Sequence, residues 1–223
     1  MKDYNIKLNR QFMITMGREY GSGGRTAAKM LAKALNIHYY DDEILKLASE
    51  QSAINEEIFR MADEQPGKNI LNRITKNRQL ELAQLNDIDK KNLTSPDNLF
   101  KFQSNVILDL SKEESFIILG RCANFILQEY CHEKVLRLYL YADFDKRVER
   151  IMAQESITKD EAIAKVKKKD KNRSEFYKYF TGSDIKDSNQ YDMMLNTSTI
   201  GFDDIVDTVL YFLSVIGFIS FIK

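Results

Sequence analysis

Short apolar runs of strand length alternate with segments whose apolar residues recur every three or four positions, and this alternation predicts parallel strands covered by helices. Phe12 to Met16 is the first run and ends in a glycine-rich turn. From Arg25 to Leu35, residues Ala27, Ala28, Leu31, Ala32 and Leu35 share one helical face, and Asn36 can end that helix. Ile37 to Tyr40 forms a second strand, and the acids Asp41-Asp42-Glu43 suit the start of a helix through Ile44, Leu45 and Leu47. Further strands are expected at Ser115 to Leu119, Val135 to Tyr141 and Met193 to Asn196. Asp145 to Gln154 reads as helix. Thr158-Lys159-Asp160-Glu161 is a capping box that opens a long helix toward Tyr179, and Asp203-Asp204 opens a terminal one.

Between Ser49 and Lys112 the pattern turns helical and highly charged, broken at Pro66-Gly67 and at Thr94-Ser95-Pro96. Ser95 suits an N-cap and Pro96 the first helical position. These residues, 49–112, are expected to form an inserted subdomain within one domain over 1–223, with Lys68 to Lys91 acting as a moving cover. The tail Val209 to Ile222 is apolar but falls short of the ~20 residues that span hydrocarbon. A core helix or a contact between copies of the chain is expected there, and no membrane partner.

Composition narrows the chemistry. The 223 residues carry 33 Lys+Arg against 33 Asp+Glu, a balance that argues against wrapping nucleic acid. Only Cys122, Cys131, His38 and His132 could serve as soft metal ligands, and their spacing forms no zinc motif. With a polar start from Met1 to Arg10, a reduced cytoplasmic setting without disulfides is expected.

The chemistry concentrates in Ile14-Thr15-Met16-Gly17-Arg18-Glu19-Tyr20-Gly21-Ser22-Gly23-Gly24-Arg25-Thr26, where a strand runs into a glycine-rich turn and a helix. Glycines let successive N–H groups converge on an anion, and the helix start adds its unpaired donors and dipole. Against the Walker A pattern G-x-x-x-x-G-K-[ST] two registers are open. Counted from the strand, Gly23 is the second glycine, Arg18 replaces the first and Gly24 stands where lysine belongs. Counted back from the hydroxyl, Gly24-Arg25-Thr26 stands for G-K-T and Glu19 replaces the first glycine. Both registers leave Arg25 as the only loop cation near the helix start, and Thr26 as a ligand for phosphate or Mg²⁺. Gly120-Arg121 emerges at the C-terminal end of a buried strand, the edge where parallel sheets bind ligands. Arg147 and Arg150 lie three apart on one helix. Lys169, Asp170 and Arg173 share a face of the next.

Taken together these pieces resemble the cytidylate kinase-like family of P-loop proteins and, more loosely, the nucleoside monophosphate kinases. Besides the loop, the resemblance rests on Tyr40-Asp41, Gly120-Arg121-Cys122-Ala123-Asn124, Asp170-Lys171-Asn172-Arg173, Tyr179-Phe180-Thr181-Gly182 and Tyr191-Asp192 to Asn196-Thr197-Ser198. It implies a three-layer α/β P-loop fold with a parallel five-stranded sheet, an acceptor-binding insert and a helical lid over 156–182. It also implies ATP and Mg²⁺, with Gly21, Ser22, Gly23, Gly24, Arg25 and Thr26 around the donor phosphates and Arg147 and Arg150 near the donor and lid. Asp41, Arg121 and Asp170 would then serve the acceptor, and Arg25, Lys169 and Arg173 the transferring phosphoryl group. The chain departs from true cytidylate kinases at Gly24, where they have lysine, and at Leu119 and Cys122, where they have aspartate. Asp42 and Glu43 replace a serine and a glycine, and Leu47 replaces an arginine. Two readings follow: an ATP-dependent kinase for a nucleoside monophosphate or similar small acceptor, and a nucleotide-binding regulatory module with little or no turnover.

Overall fold

A computed structural model describes residues 4–64 and 93–222. The expected cover Lys68 to Lys91 and the break at Pro66-Gly67 lie outside the described residues. Among those described, β1 (Ile6–Leu8) and β2 (Met13–Arg18) precede α1 (Gly24–Leu35), β3 (His38–Tyr40), α2 (Glu43–Ser52) and α3 (Glu56–Glu64). After the gap come α4 (Pro96–Glu113), β4 (Phe116–Leu119), α5 (Ala123–Cys131), β5 (Val135–Tyr141), α6 (Phe144–Glu155) and α7 (Lys159–Thr181). The chain closes with β6 (Met193–Asn196), α8 (Phe202–Val215) and β7 (Ile219–Phe221).

Five strands pair in the order β3-β4-β2-β5-β6, all parallel, so β2 lies in the middle and delivers the glycine turn to the centre of one sheet edge. Strand pleating sends successive side chains to opposite faces. Ile14 and Met16 of β2 with Ile117 and Leu119 of β4 pack under α1 and α8, while Met13, Phe116 and Ile118 face α2, α4, α5 and α7. Three layers result, as expected.

Local signals act as read. Ser95 caps α4 through its hydroxyl with Pro96 in the first turn, Thr158 and Glu161 complete the capping box of α7, and Asn36 closes α1 in the left-handed conformation at φ 51°. The two ends differ from expectation. The polar start holds β1, and the apolar tail is a helix only to Val215, after which Gly217 (φ 77°) turns the chain into β7, antiparallel to β1. Part of the tail's apolar surface is therefore covered by the chain's own first strand, while Tyr211, Val215, Phe221 and Ile222 stay exposed. No described helix is long and apolar enough to cross a membrane.

Candidate active site

β2 ends at Arg18 and Gly23 caps α1, so four residues, Glu19 to Ser22, span the two. That spacing selects the register counted from the strand: Arg18 in the first glycine's place, Gly24 in the lysine's, Arg25 in the hydroxyl's. Thr26 sits one residue beyond that hydroxyl position, about 100° further round the helix, and is exposed. The glycines have steric reasons. Gly21 and Gly23 adopt φ of 81° and 79°, and a side chain at Gly23 would run into the Phe202 ring of α8.

Behind the loop, buried charges hold its carbonyls. Arg147 donates from Nη1 to the Tyr20 carbonyl (3.1 Å) and from Nε to the Ala142 carbonyl (3.1 Å), and it pairs with Asp170 and with Glu19 (3.2 Å). Asp170 accepts the Tyr20 N–H at 2.7 Å. Arg150 reaches the Ser22 carbonyl (3.2 Å) and Thr197, whose hydroxyl also donates to the Ser22 carbonyl at 2.7 Å. In a trans peptide the C=O and the following N–H point opposite ways. Pinning the Tyr20 and Ser22 carbonyls behind therefore turns the Gly21 and Gly23 N–H groups to the open side. Arg147, Arg150 and Asp170 thus have these polar atoms engaged with the loop and its neighbours. Ser22 is likewise internal: its N–H and hydroxyl both go to the Glu19 carbonyl, at 3.3 and 2.9 Å, and close the turn. Gly24, Arg25 and Thr26 begin α1 under a cap that has no side chain, which leaves their N–H groups for an anion.

In front of the loop a second group of charges gathers. Arg25 donates from Nε to Asp41 at 2.7 Å and also pairs with it through Nη2, while Tyr39 donates to the same carboxylate at 3.1 Å. Arg18 Nη2 stands 3.6 Å from the other Asp41 oxygen. Arg121 donates to Asp42 at 2.8 Å, and Arg25 and Arg60 approach Asp42 at 3.8 and 4.0 Å. Burial pulls the Asp41 carboxyl up, but the charges of Arg18, Arg25 and Arg121 outweigh burial and leave it below the ordinary carboxylate value. Burial and the same carboxylate push the Tyr39 hydroxyl up to about 12.

Arg121 owes its direction to an unusual turn. Gly120, Arg121 and Cys122 take φ of 76°, 60° and 53° in succession, and left-handed backbone at two residues with a Cβ is strained. Gln103 of α4 holds the turn by donating to the Arg121 carbonyl at 3.2 Å. Beyond it, Leu45, Phe59, Phe100, Gln103 and Phe176 line an apolar cleft between α2, α3, α4 and α7. From α7, Arg173 donates to the Arg18 carbonyl at 3.3 Å and stacks over Tyr20, while Lys169 acts electrostatically on Glu155. The loop thus carries a cation beyond Arg25. Arg18, with 16% of its side chain exposed, reaches toward Asp41, a contact hidden in the sequence because its position belongs to a glycine in the motif.

The model of the cytidylate kinase-like family matches residues 13–199, most of the chain and all of the loop, acid pair and arginine turn. The chain belongs to that family. Similar relatives include the cytidylate kinase of Sulfolobus acidocaldarius, 27% identical over 85% of this chain and 87% of that one. The cytidylate kinase of Methanopyrus kandleri is 26% identical over 83% and 84%. Among solved structures, an uncharacterized protein from Eubacterium ventriosum superposes with a TM-score of 0.64 at 25% identity, covering 92% of this chain and 99% of that one. A gluconokinase from Sinorhizobium meliloti reaches 0.51 at 13%, covering 92% and 94%, which shows the shared α/β P-loop kinase fold alone. What this chain does with that fold depends on its own charges.

Proposed function

We propose that the protein transfers a phosphoryl group from MgATP to a nucleoside monophosphate or a similar small phosphorylated acceptor. One observation carries the reading: Arg25 and Arg121 meet Asp41 and Asp42 on the sheet edge where the glycine loop opens. Carboxylates paired with arginine forks mark positions a phosphate can take, because the fork offers both anions the same two parallel charge-assisted bonds. The loop N–H groups bind the donor phosphates. Arg121 receives the acceptor phosphate, beside the apolar residues that α2, α3, α4 and α7 bring together. Phosphoryl transfer asks the protein mainly to position both partners and to neutralise charge on the equatorial oxygens. Arg25, Lys169 and Arg173 supply that charge, with Mg²⁺ arriving on the nucleotide and held chiefly by phosphate and water. Thr26 offers the nearest hydroxyl of the helix start. The insert around α2–α4 serves the acceptor and α7 covers the donor. The balance of charge and the free thiols fit a reduced cytoplasmic setting.

A regulatory module that holds nucleotide with little turnover is favoured by one feature: Arg25 is engaged with Asp41 and Gly24 supplies no lysine. The two readings separate by incubating the purified protein with MgATP and a panel of ribo- and deoxyribonucleoside monophosphates. Acceptor-dependent ADP release supports the kinase. Calorimetric MgATP binding with no product from any acceptor supports the module.

A further inference from the structure

Gly24 is a puzzle on backbone grounds. It is the first residue of α1 and its φ is not left-handed, so nothing in its conformation requires glycine, and glycine costs a helix roughly 0.5–1 kcal/mol relative to alanine. The reason lies across the loop. A Cβ on residue 24 would stand 3.0 and 3.1 Å from Cβ and Cγ of Arg18, and 3.8 Å from its Cδ. The aliphatic stem of Arg18 occupies the space into which a side chain at position 24 would grow. From there the guanidinium passes over Gly120, whose missing side chain leaves room for it, and ends 3.6 Å from Asp41. That separation is an ionic contact longer than a hydrogen bond. The Arg18 carbonyl is held by Arg173 of α7.

We infer that Arg18 carries the phosphate-neutralising charge that the motif's lysine carries elsewhere, delivered from the end of β2 instead of the start of α1. The two solutions compete for one space: a side chain at position 24 presses on the Arg18 stem, which would have to give by a few tenths of an ångström. Arg18 is thereby a donor-phosphate residue, and its placement between the loop, Gly120 and Asp41 sets it at the boundary between donor and acceptor. The inference rests on the donor loop binding MgATP.

Exchange of the two positions tests it. Arg18→Met keeps most of the stem and removes the charge, and it should weaken MgATP binding about tenfold or more, the scale of a lost charge-assisted hydrogen bond. Gly24→Lys alone should also bind poorly, because two side chains compete for one space. The double variant Arg18→Ala/Gly24→Lys should recover affinity to within a few-fold of the original. Calorimetric titration with MgATP reads all three, and thermal unfolding of each variant reports the fold separately. Recovery in the double variant is the outcome a merely structural Arg18 cannot give, since a lysine growing from the helix start does not restore the contacts with Gly120 and Asp41. Arg18→Met binding MgATP as the original does, or a folded double variant binding no better than Arg18→Met, overturns the inference. Absence of MgATP binding by the unmodified protein overturns the donor-site reading itself and takes this inference with it.

Discussion

The arginines behind the glycine loop and those in front of it are the same residue put to opposite uses. Arg147 has 7% of its side chain exposed and directs its donors to backbone carbonyls, to buried Glu19 and to half-buried Asp170, whereas Arg25 has 58% exposed and faces the buried carboxylate of Asp41. A guanidinium bound to carbonyls of its own chain has nothing to exchange, because carbonyls cannot leave. One bound to a side-chain carboxylate can trade that anion for another at small net cost. On the function proposed above, the rear set shapes the loop and the front set meets phosphate.

The largest expected effect breaks the rear. Arg147→Ala leaves Glu19 and Asp170 short of a buried partner, which should cost about 3–5 kcal/mol of folding stability in a urea titration. An unchanged midpoint would erase the distinction between the two sets. In front, Arg121→Ala should raise the acceptor KM and lower kcat, together about a hundredfold in kcat/KM, with MgATP affinity intact. A loss confined to MgATP binding would move Arg121 to the donor side. Arg25→Ala should weaken MgATP binding or single-turnover rate by about tenfold, and Arg25→Lys should keep part of either. Its effect on stability should reach about 1–3 kcal/mol, because Asp41 is buried and loses its closest charged partner. The smallest effect is on pH dependence. Asp41 has a folded pKa below its unfolded value of about 3.9, so its contribution to stability is present at neutral pH and is lost as pH falls through that depressed value. Acid unfolding curves of the original protein and Asp41→Asn should therefore converge as pH falls through that depressed value, while differing above it.

Much of this molecule could be read locally. Helix α1 announces itself through Ala27, Leu31 and Leu35, α4 through Ser95-Pro96, and α7 through Thr158 and Glu161, because each signal lies within one or two turns of what it controls. β1 and β7 escaped for the complementary reason. Ile6 pairs with Phe221, and neither three-residue strand has meaning without a partner at the far end of the chain. The site divides the same way. That Arg147 and Arg150 share a helix face follows from their spacing, but whether that face meets solvent, nucleotide or the carbonyls of Tyr20 and Ser22 depends on where α6 packs. Arg25 was recognisable as a loop cation, while its partner Asp41 and the intervening Arg18 come from the ends of two strands separated by β4.

The contact of Gly23 with Phe202 changes what the glycine motif means for a shortened chain. Every residue of that motif lies before position 27, yet the ring that presses on Gly23 belongs to α8, with the Arg150 guanidinium stacked against it. A fragment cut ahead of residue 202 would carry the whole signature and lack the mould that shapes it. Making residue 202 smaller would relieve only half of the constraint on residue 23, because the left-handed backbone there still favours glycine.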